Sequence, residues 1–314
     1  MRLKRTQMSA AACDLDKIKR VLDTDTDMIM LDLEDNVIPP WKGKARETLV
    51  RALNDLDFHG VIKCVKVNGW ESGMTLLDLE ASIPWGVDEI KLSKCETAED
   101  VRRLARAITK LEKQYHLPDR QVEINVQLES PLGLRNAYEI LTASPRVTCA
   151  SFGYEDMASA LGIYRDYTPG TQQAVYMAGK LVVDANAAGI EQINATAIVA
   201  KPGEIQGESA YVRNDTLRLK QMGFTSRGAI YASHVEIINK VFTPDPEDVA
   251  ASRQIVERWR LGVETGNPDC FFLDNGLPID PGRVERAERI LRLNRAYEEL
   301  LLRKNGQVRF VNNP

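Results

Sequence analysis

Glu129 and Asp156 each stand just past an apolar run. Residues 122–128, VEINVQL, lead to Glu129, and residues 147–152 lead into Gly153-Tyr154-Glu155-Asp156. A carboxylate at the end of a buried strand is costly unless something pairs with it. Two of them on neighbouring strand ends make a hard, oxygen-rich site of the kind Mg²⁺ takes. Other apolar runs end in charge as well: Asp32-Leu33-Glu34-Asp35, then Lys66-Val67-Asn68, then Lys94. Such a set supports enolate chemistry. Mg²⁺ held by two carboxylates polarises a 2-oxo acid or a carboxylate-bearing substrate, a lysine steadies the oxyanion, and a third acid moves a proton on or off carbon. A structural ring of ion pairs would use the same residue types.

The elements that position these residues follow from periodicity. Strands are predicted over residues 7–11, 28–33, 61–67, 89–92, 122–128, 147–152, 193–199 and 228–231. Helices are predicted over 14–23, 43–54, 75–81, 98–115, 131–143, 156–161, 171–188 and 210–222, then 235–241 and 246–261. Eight strands each followed by a helix predict a (β/α)₈ TIM barrel, whose chemistry belongs at the C-terminal strand ends. A doubly wound open sheet is the alternative. No GxGxxG follows the first strand, which counts against its dinucleotide-binding form. The barrel is expected over residues 1–262 and a C-terminal helical lid extension over 263–314. The extension has a Gly, Pro, Asn and Asp-rich loop with Phe271-Phe272, then a helix from 283 to 303. The two phenylalanines are expected to anchor the lid.

Composition bounds the function. With 41 basic and 45 acidic residues the net charge is −4, which offers no field for nucleic acid or an anionic membrane. The first residues, MRLKRTQMSAAACDLDK, have no apolar core, so no signal peptide is expected. No apolar stretch is long enough to span a bilayer. Cys13, Cys64, Cys95, Cys149 and Cys270 have no paired spacing and read as reduced thiols, giving a cytoplasmic expectation. His59, His116 and His234 are too scattered for a zinc site.

The motifs together resemble a known family. LDLEDNVIPPWKGKAR (residues 31–46) resembles the LDLEDxVxxxxKxxAR signature of the citrate lyase beta subunit family, within the HpcH/HpaI aldolase superfamily that includes malyl-CoA lyase. KVNGWES (66–72), EIKLSKCETAEDV (89–101), QLESPLGLRNAYEI with SPRVTCASFGYEDMASALG (127–162) and GFTSRGAIYASHVEIINKVFTPDPEDV (223–249) resemble its further blocks in order. The resemblance covers about residues 2–303. It implies a Mg²⁺-dependent (β/α)₈ barrel that makes or breaks a carbon–carbon bond in a 3-hydroxy-acyl thioester. By position, Glu129 and Asp156 match the metal ligands. Glu34 and Asp35 match acids beside metal and substrate, Lys94 a lysine at the barrel mouth, and Gly133 a glycine meeting the substrate carboxylate. Asp280 matches a lid aspartate that reaches a neighbouring subunit's site, implying a homotrimer or hexamer. The aspartate could equally cap the final helix before Pro281.

Three departures stand out. Lys66 replaces the family's arginine, exchanging a two-pronged grip for a point charge. Ala10-Ala11-Ala12 replaces VPG, and Ile230-Tyr231-Ala232-Ser233-His234 replaces IHPxQ. The alanines imply a weaker hold on coenzyme A, so free 2-oxo acids should bind with Mg²⁺ alone. The leading expectation is a carbon–carbon lyase acting on a β-hydroxy acid or its acyl-CoA thioester. Beside it stand a CoA-independent pyruvate-type aldolase, a thioester hydrolase and a non-catalytic metabolite-binding relative. Lys94 could serve only as a salt-bridge partner, His234 is expected to cap or pack, and Trp70 either meets substrate or seals the mouth.

Overall fold

Eight short, aliphatic-rich strands run parallel and close on themselves in chain order. They are β1 (Thr6–Ala11), β2 (Met28–Asp32), β3 (Ile62–Val67), β4 (Glu89–Leu92), β5 (Glu123–Leu128), β6 (Val147–Phe152), β7 (Gln192–Ala195) and β8 (Ser226–Ala229). The computed structural model describes residues 4–118, 121–166, 171–195, 197 and 207–306. Pairing of β1 with β8 completes the (β/α)₈ barrel and excludes the open sheet.

The outer layer is α1 (Leu15–Leu22), α2 (Lys42–Asp55), α3 (Thr75–Glu80), α4 (Ala98–Gln114), α5 (Pro131–Arg135), α6 (Ala137–Leu141), α7 (Tyr154–Ala160), α8 (Val175–Ala187), α9 (Glu208–Met222) and α10 (Ala232–Phe242). Its main core lies between helices and sheet, where Ile29, Leu31, Val65, Ile90, Ile124 and Val126 meet Leu49, Leu104 and Ile108. α4 shows the local logic. Thr97 and Asp100 form a reciprocal capping box at its start, and Val101, Leu104, Ile108 and Leu111 bury one face at helical spacing.

The barrel interior is mixed. Met28, Met30, Ile62 and Cys64 form an apolar patch. Beside it runs a polar chain. Lys4 bonds Glu89, Asn125 Nδ2 donates to Glu89 Oε1 (2.8 Å), Ser151 Oγ donates to Asn125 Oδ1 (2.8 Å), and Ser226 Oγ donates to Asn194 Oδ1 (3.0 Å). Lys91 Nζ donates to Gln7 Oε1 at 2.9 Å. Buried polar groups satisfied in this way hold register as well as volume.

Several boundaries differ from the sequence expectation. β8 lies two residues earlier than 228–231, because Ser226 and Arg227 pair with Asn194 and Ala195 of β7, while the Arg227 side chain reaches Asp215 on α9. The helix expected over 131–143 breaks at Asn136, whose Nδ2 donates to Glu96 O at 2.9 Å. α8 begins at Val175 rather than 171. Of the 193–199 strand, residues 196, 198 and 199 lie outside the described residues. All five cysteines are free, and no described helix is long and apolar enough to cross a membrane.

The described residues divide into two compact units, 4–242 and 243–306. The second unit pairs α11 (Pro246–Thr265) with α12 (Pro281–Lys304). α11 therefore groups with the C-terminal extension, whereas a boundary at 262 would leave it with the barrel. In the connection, Phe271 meets Trp259 edge-on at 5.1 Å between ring centres and packs against Gly262. Phe272 is half exposed and bridges to Pro278 across a turn at Gly276. Only Phe271 serves as an anchor within this unit.

Candidate active site

Strand register sets the charges at one level. Asp32 on β2 lies beside Lys66 on β3, and Lys66 lies beside Lys91 on β4. Past Asp32 the chain turns. The Asp32 carboxylate accepts from the Glu34 N–H (2.6 Å) and from Asn36 Nδ2 (2.6 Å), so it shapes the loop. Glu34 is left buried with its carboxylate between two ammonium groups: Oε2 is 2.6 Å from Lys66 Nζ and Oε1 is 2.6 Å from Lys94 Nζ. Burial opposes ionisation of Glu34. The hydrogen bond with Asp35 and the two lysines outweigh it and hold Glu34 down to about 2. Asp35 is half exposed, 3.2 Å from Lys94 and 3.8 Å from Lys66. Burial and then the neighbouring Glu34 push it up to about 6. One of the two acids is thus fixed as an anion, while the other exchanges a proton near neutrality.

A third lysine stays out of the chemistry. Lys42 Nζ donates to Leu33 O (2.7 Å), Glu34 O (2.7 Å) and Asn68 Oδ1 (2.8 Å). Asn68 in turn donates to Leu33 O (2.9 Å) and to Asp78 Oδ2 (2.7 Å), and Arg46 holds the other oxygen of Asp78 at 3.0 Å. These four side chains tie together the ends of β2 and β3. Reading strand ends for charge misses their role. Lys42, Arg46 and Asn68 do lie inside the quoted motif strings, whereas nothing local marks Asp78.

Glu129 is 2% exposed. Its Oε1 accepts from the Lys94 backbone N–H at 2.7 Å and its Oε2 from Gln127 Nε2. Gly153 passes so close that a Cβ there would lie 2.5 Å from Glu129 Cβ and 2.7 Å from Oε2. Burial pushes Glu129 up to about 7. Lys66 and Gln127 oppose that shift, and the negative charge of Asp156 adds to it. Asp156 sits in the first turn of α7, half-buried, with no hydrogen bond or ion pair to a described residue. Burial disfavours charge on Lys66, yet Asp32, Glu129 and Glu34 together raise its affinity for a proton. It stays an ammonium between the two groups of acids.

Two carboxylates that repel each other, one of them dry, suit a hard divalent cation that keeps water or substrate in its remaining positions. Among the described residues no group of three His, Cys, Asp or Glu is arranged for a metal. The acids at this end of the barrel that could offer oxygens to such a cation are Glu129 and Asp156.

The structure brings Glu34, Asp35, Lys66, Lys94 and Glu129 together, with Asp156 within electrostatic reach of Glu129. Lys94 does form the salt bridges expected of a merely structural residue, with Glu34 as its main partner. Gly133 is buried in the first turn of α5, where a Cβ would sit 2.4 Å from Cys95 O, so close packing requires glycine there. Asp280 lies in the second unit and caps α12, accepting from the Arg283 N–H at 2.7 Å. His234 is buried, paired with Glu208 at 2.6 Å and edge-on to Tyr231, which is a packing role. Trp70 donates from Nε1 to Asp100 O at 3.1 Å and lies under the Arg103 guanidinium, 3.9 Å away, so it fastens α4 to the end of β3. Ala10 and Ala12 are fully buried in the main core.

Comparison with known proteins agrees with this fold. The family model for HpcH/HpaI aldolase/citrate lyase matches residues 8–232. Citrate lyase subunit beta of Leuconostoc mesenteroides subsp. cremoris is 28% identical over 295 residues, covering 94% of each chain. The L-malyl-CoA/beta-methylmalyl-CoA lyase of Rhodobacter capsulatus is 27% identical, covering 93% of this chain and 94% of its own. In fold, the chain is similar to protein CitE from Mycobacterium tuberculosis in complex with magnesium, acetoacetate and coenzyme A. The TM-score is 0.67 at 21% identity, over 93% of this chain and 98% of that one. With the barrel, the charged mouth and the family match in agreement, the chain belongs to the HpcH/HpaI aldolase/citrate lyase family and is a carbon–carbon lyase.

Proposed function

We propose that the protein is a Mg²⁺-dependent lyase that cleaves or forms a carbon–carbon bond in a β-hydroxy acid or its acyl-CoA thioester. The observation that carries this reading is Lys66, a buried ammonium flanked by Glu34 on one side and the Glu129–Asp156 pair on the other. Relatives named as malyl-CoA lyases and a neighbour solved with magnesium and coenzyme A support the substrate class.

Glu129 and Asp156 would hold the cation, which when bound supplies Lewis acidity to a substrate carbonyl. Lys66 places a fixed positive charge where an enolate oxygen develops, without reorganising during the reaction. Glu34 stays anionic and keeps Lys66 and Lys94 in place. Asp35, near pH 6, gives up or takes a proton beside them. Gly133 stands where the family resemblance puts a glycine beside the substrate carboxylate, near the start of α5. Asp280 of a neighbouring copy in a trimer or hexamer would bring the proton for the enolate carbon. The replacement of the family's VPG by Ala10-Ala11-Ala12 favours a second reading: free 2-oxo acids bind with Mg²⁺ and no coenzyme A.

The test is calorimetry with Mg²⁺ and oxaloacetate on the parent and on Glu129→Ala, followed by a screen of acyl-CoA thioesters. Metal-dependent binding abolished by the substitution supports the site. No binding of either ligand class by the parent would sink the reading and leave a non-catalytic relative.

A further inference from the structure

Among the described residues three non-glycine positions have positive φ: His59 (+46°), Lys94 (+52°) and His116 (+54°). Two have ordinary causes. His59 turns the chain between α2 and β3, and His116 follows the end of α4, where a left-handed residue closes a helix. Lys94 ends no helix. It comes two residues after β4, at the strand end that faces the site, and it has a Cβ that disfavours this conformation. Strain of this kind persists only where the surroundings over-determine it.

The surroundings of Lys94 do so. On one side Ser93 Oγ donates to Val67 O at 2.6 Å, and on the other Cys95 O is packed against Gly133. Between these fixed points the φ of Lys94 decides where its N–H lies relative to its side chain. At +52° the N–H reaches Glu129 Oε1 (2.7 Å) while Nζ reaches Glu34 Oε1 (2.6 Å) and Asp35 Oδ1 (3.2 Å). One residue thus grips acids from β2 and from β5.

The geometry points to Lys94 as a positioning residue with two separable parts: its left-handed backbone aims the N–H that orients Glu129 for the divalent cation, and its side chain independently tethers Glu34. This rests on the metal reading above and adds a backbone determinant that no side-chain inventory contains.

The separation can be tested on the full chain. Lys94→Gly and Lys94→Val both lose the ammonium. Glycine adopts positive φ freely, and a β-branched residue does not. Titrated with Mg²⁺ in a calorimeter, Lys94→Val is expected to bind about tenfold more weakly than Lys94→Gly, the scale on which misorienting a ligand's hydrogen-bond partner acts. In a Glu129→Gln background the two are expected to be equal. Should Lys94→Val fail to fold, Lys94→Ala against Lys94→Asn asks the same question, since asparagine tolerates this region.

Equal affinities of the glycine and valine variants, or a difference that persists without Glu129, would overturn the proposal. A parent that binds no Mg²⁺ defeats the metal reading instead. Crystal structures of the metal-free variants then decide the positioning role: a Glu129 carboxylate displaced in Lys94→Val but not in Lys94→Gly supports it, and an unmoved one rejects it.

Discussion

Lys66 and Lys91 are neighbours in register on β3 and β4, and both are buried. They differ in what surrounds them. Lys66 has Asp32, Glu129 and Glu34 about it, which together outweigh burial and keep it protonated. For Lys91 burial dominates and lowers its proton affinity. The acid and thiol groups nearby do not overcome this, and its hydrogen bond runs to the neutral amide of Gln7. At similar depth one amine is a fixed cation and the other is biased toward neutrality. The partner, and not the residue type, decides which lysine can stabilise an anion.

The comparison can be broken in several ways. The largest effect is expected at the acids that flank Lys66. On the proposed reading, in which Glu129 holds the cation, Glu129→Ala should lower kcat/KM by about a thousandfold or more. Steady-state assays across Mg²⁺ concentrations would check this, and activity unchanged at saturating metal would refute it.

Next come the two lysines. Lys66→Met should reduce kcat about a hundredfold, the usual effect of removing an oxyanion donor. Lys91→Met should leave turnover within about twofold and shift stability by about 1 kcal/mol, the scale of one net hydrogen bond. Parallel assays and thermal melts separate the pair, and equal losses of turnover would erase the distinction drawn here.

A third expectation concerns pH. Glu129 is raised from its ordinary value to about 7. Between the unfolded value and 7 the folded protein holds a proton that the unfolded chain has lost, so this group's contribution to stability falls as pH rises. Without metal, Glu129→Gln should therefore be more stable than the parent at pH 8, by on the order of 3 kcal/mol, with little advantage at pH 4. Denaturant melts at both values would show it, and a gap that fails to widen with pH would contradict the assignment.

The smallest change sharpens the contrast. Lys66→Arg keeps the charge and adds a two-pronged grip. Turnover of whichever acyl-CoA thioester the screen identifies should rise by several-fold if Lys66 meets substrate oxygen directly, read as kcat against KM.

What could be read from residues alone follows from how each feature is encoded. Strands β2 to β6 are aliphatic runs that end in charge, so Glu34, Asp35, Lys66, Lys94 and Glu129 stood out as strand-end residues, and the barrel followed from the alternation with helices. The supporting shell is different in kind. Asp78 meets Arg46 from 32 positions away, and Asn136 interrupts a continuous helical pattern by bonding to Glu96 O. Periodicity encodes which face of an element is buried. It carries no record of which distant group a polar side chain will find there. The left-handed backbone at Lys94 is equally silent, since nothing about a lysine announces positive φ.

The close passage of Gly153 by Glu129 has a consequence for anyone transplanting this chemistry. A scaffold given the two acids but an ordinary residue at the 153 position would have a methyl group where the carboxylate must stand. What has to be carried over is two side chains and one absence, and a search of other barrels for similar sites gains selectivity by demanding that empty volume too.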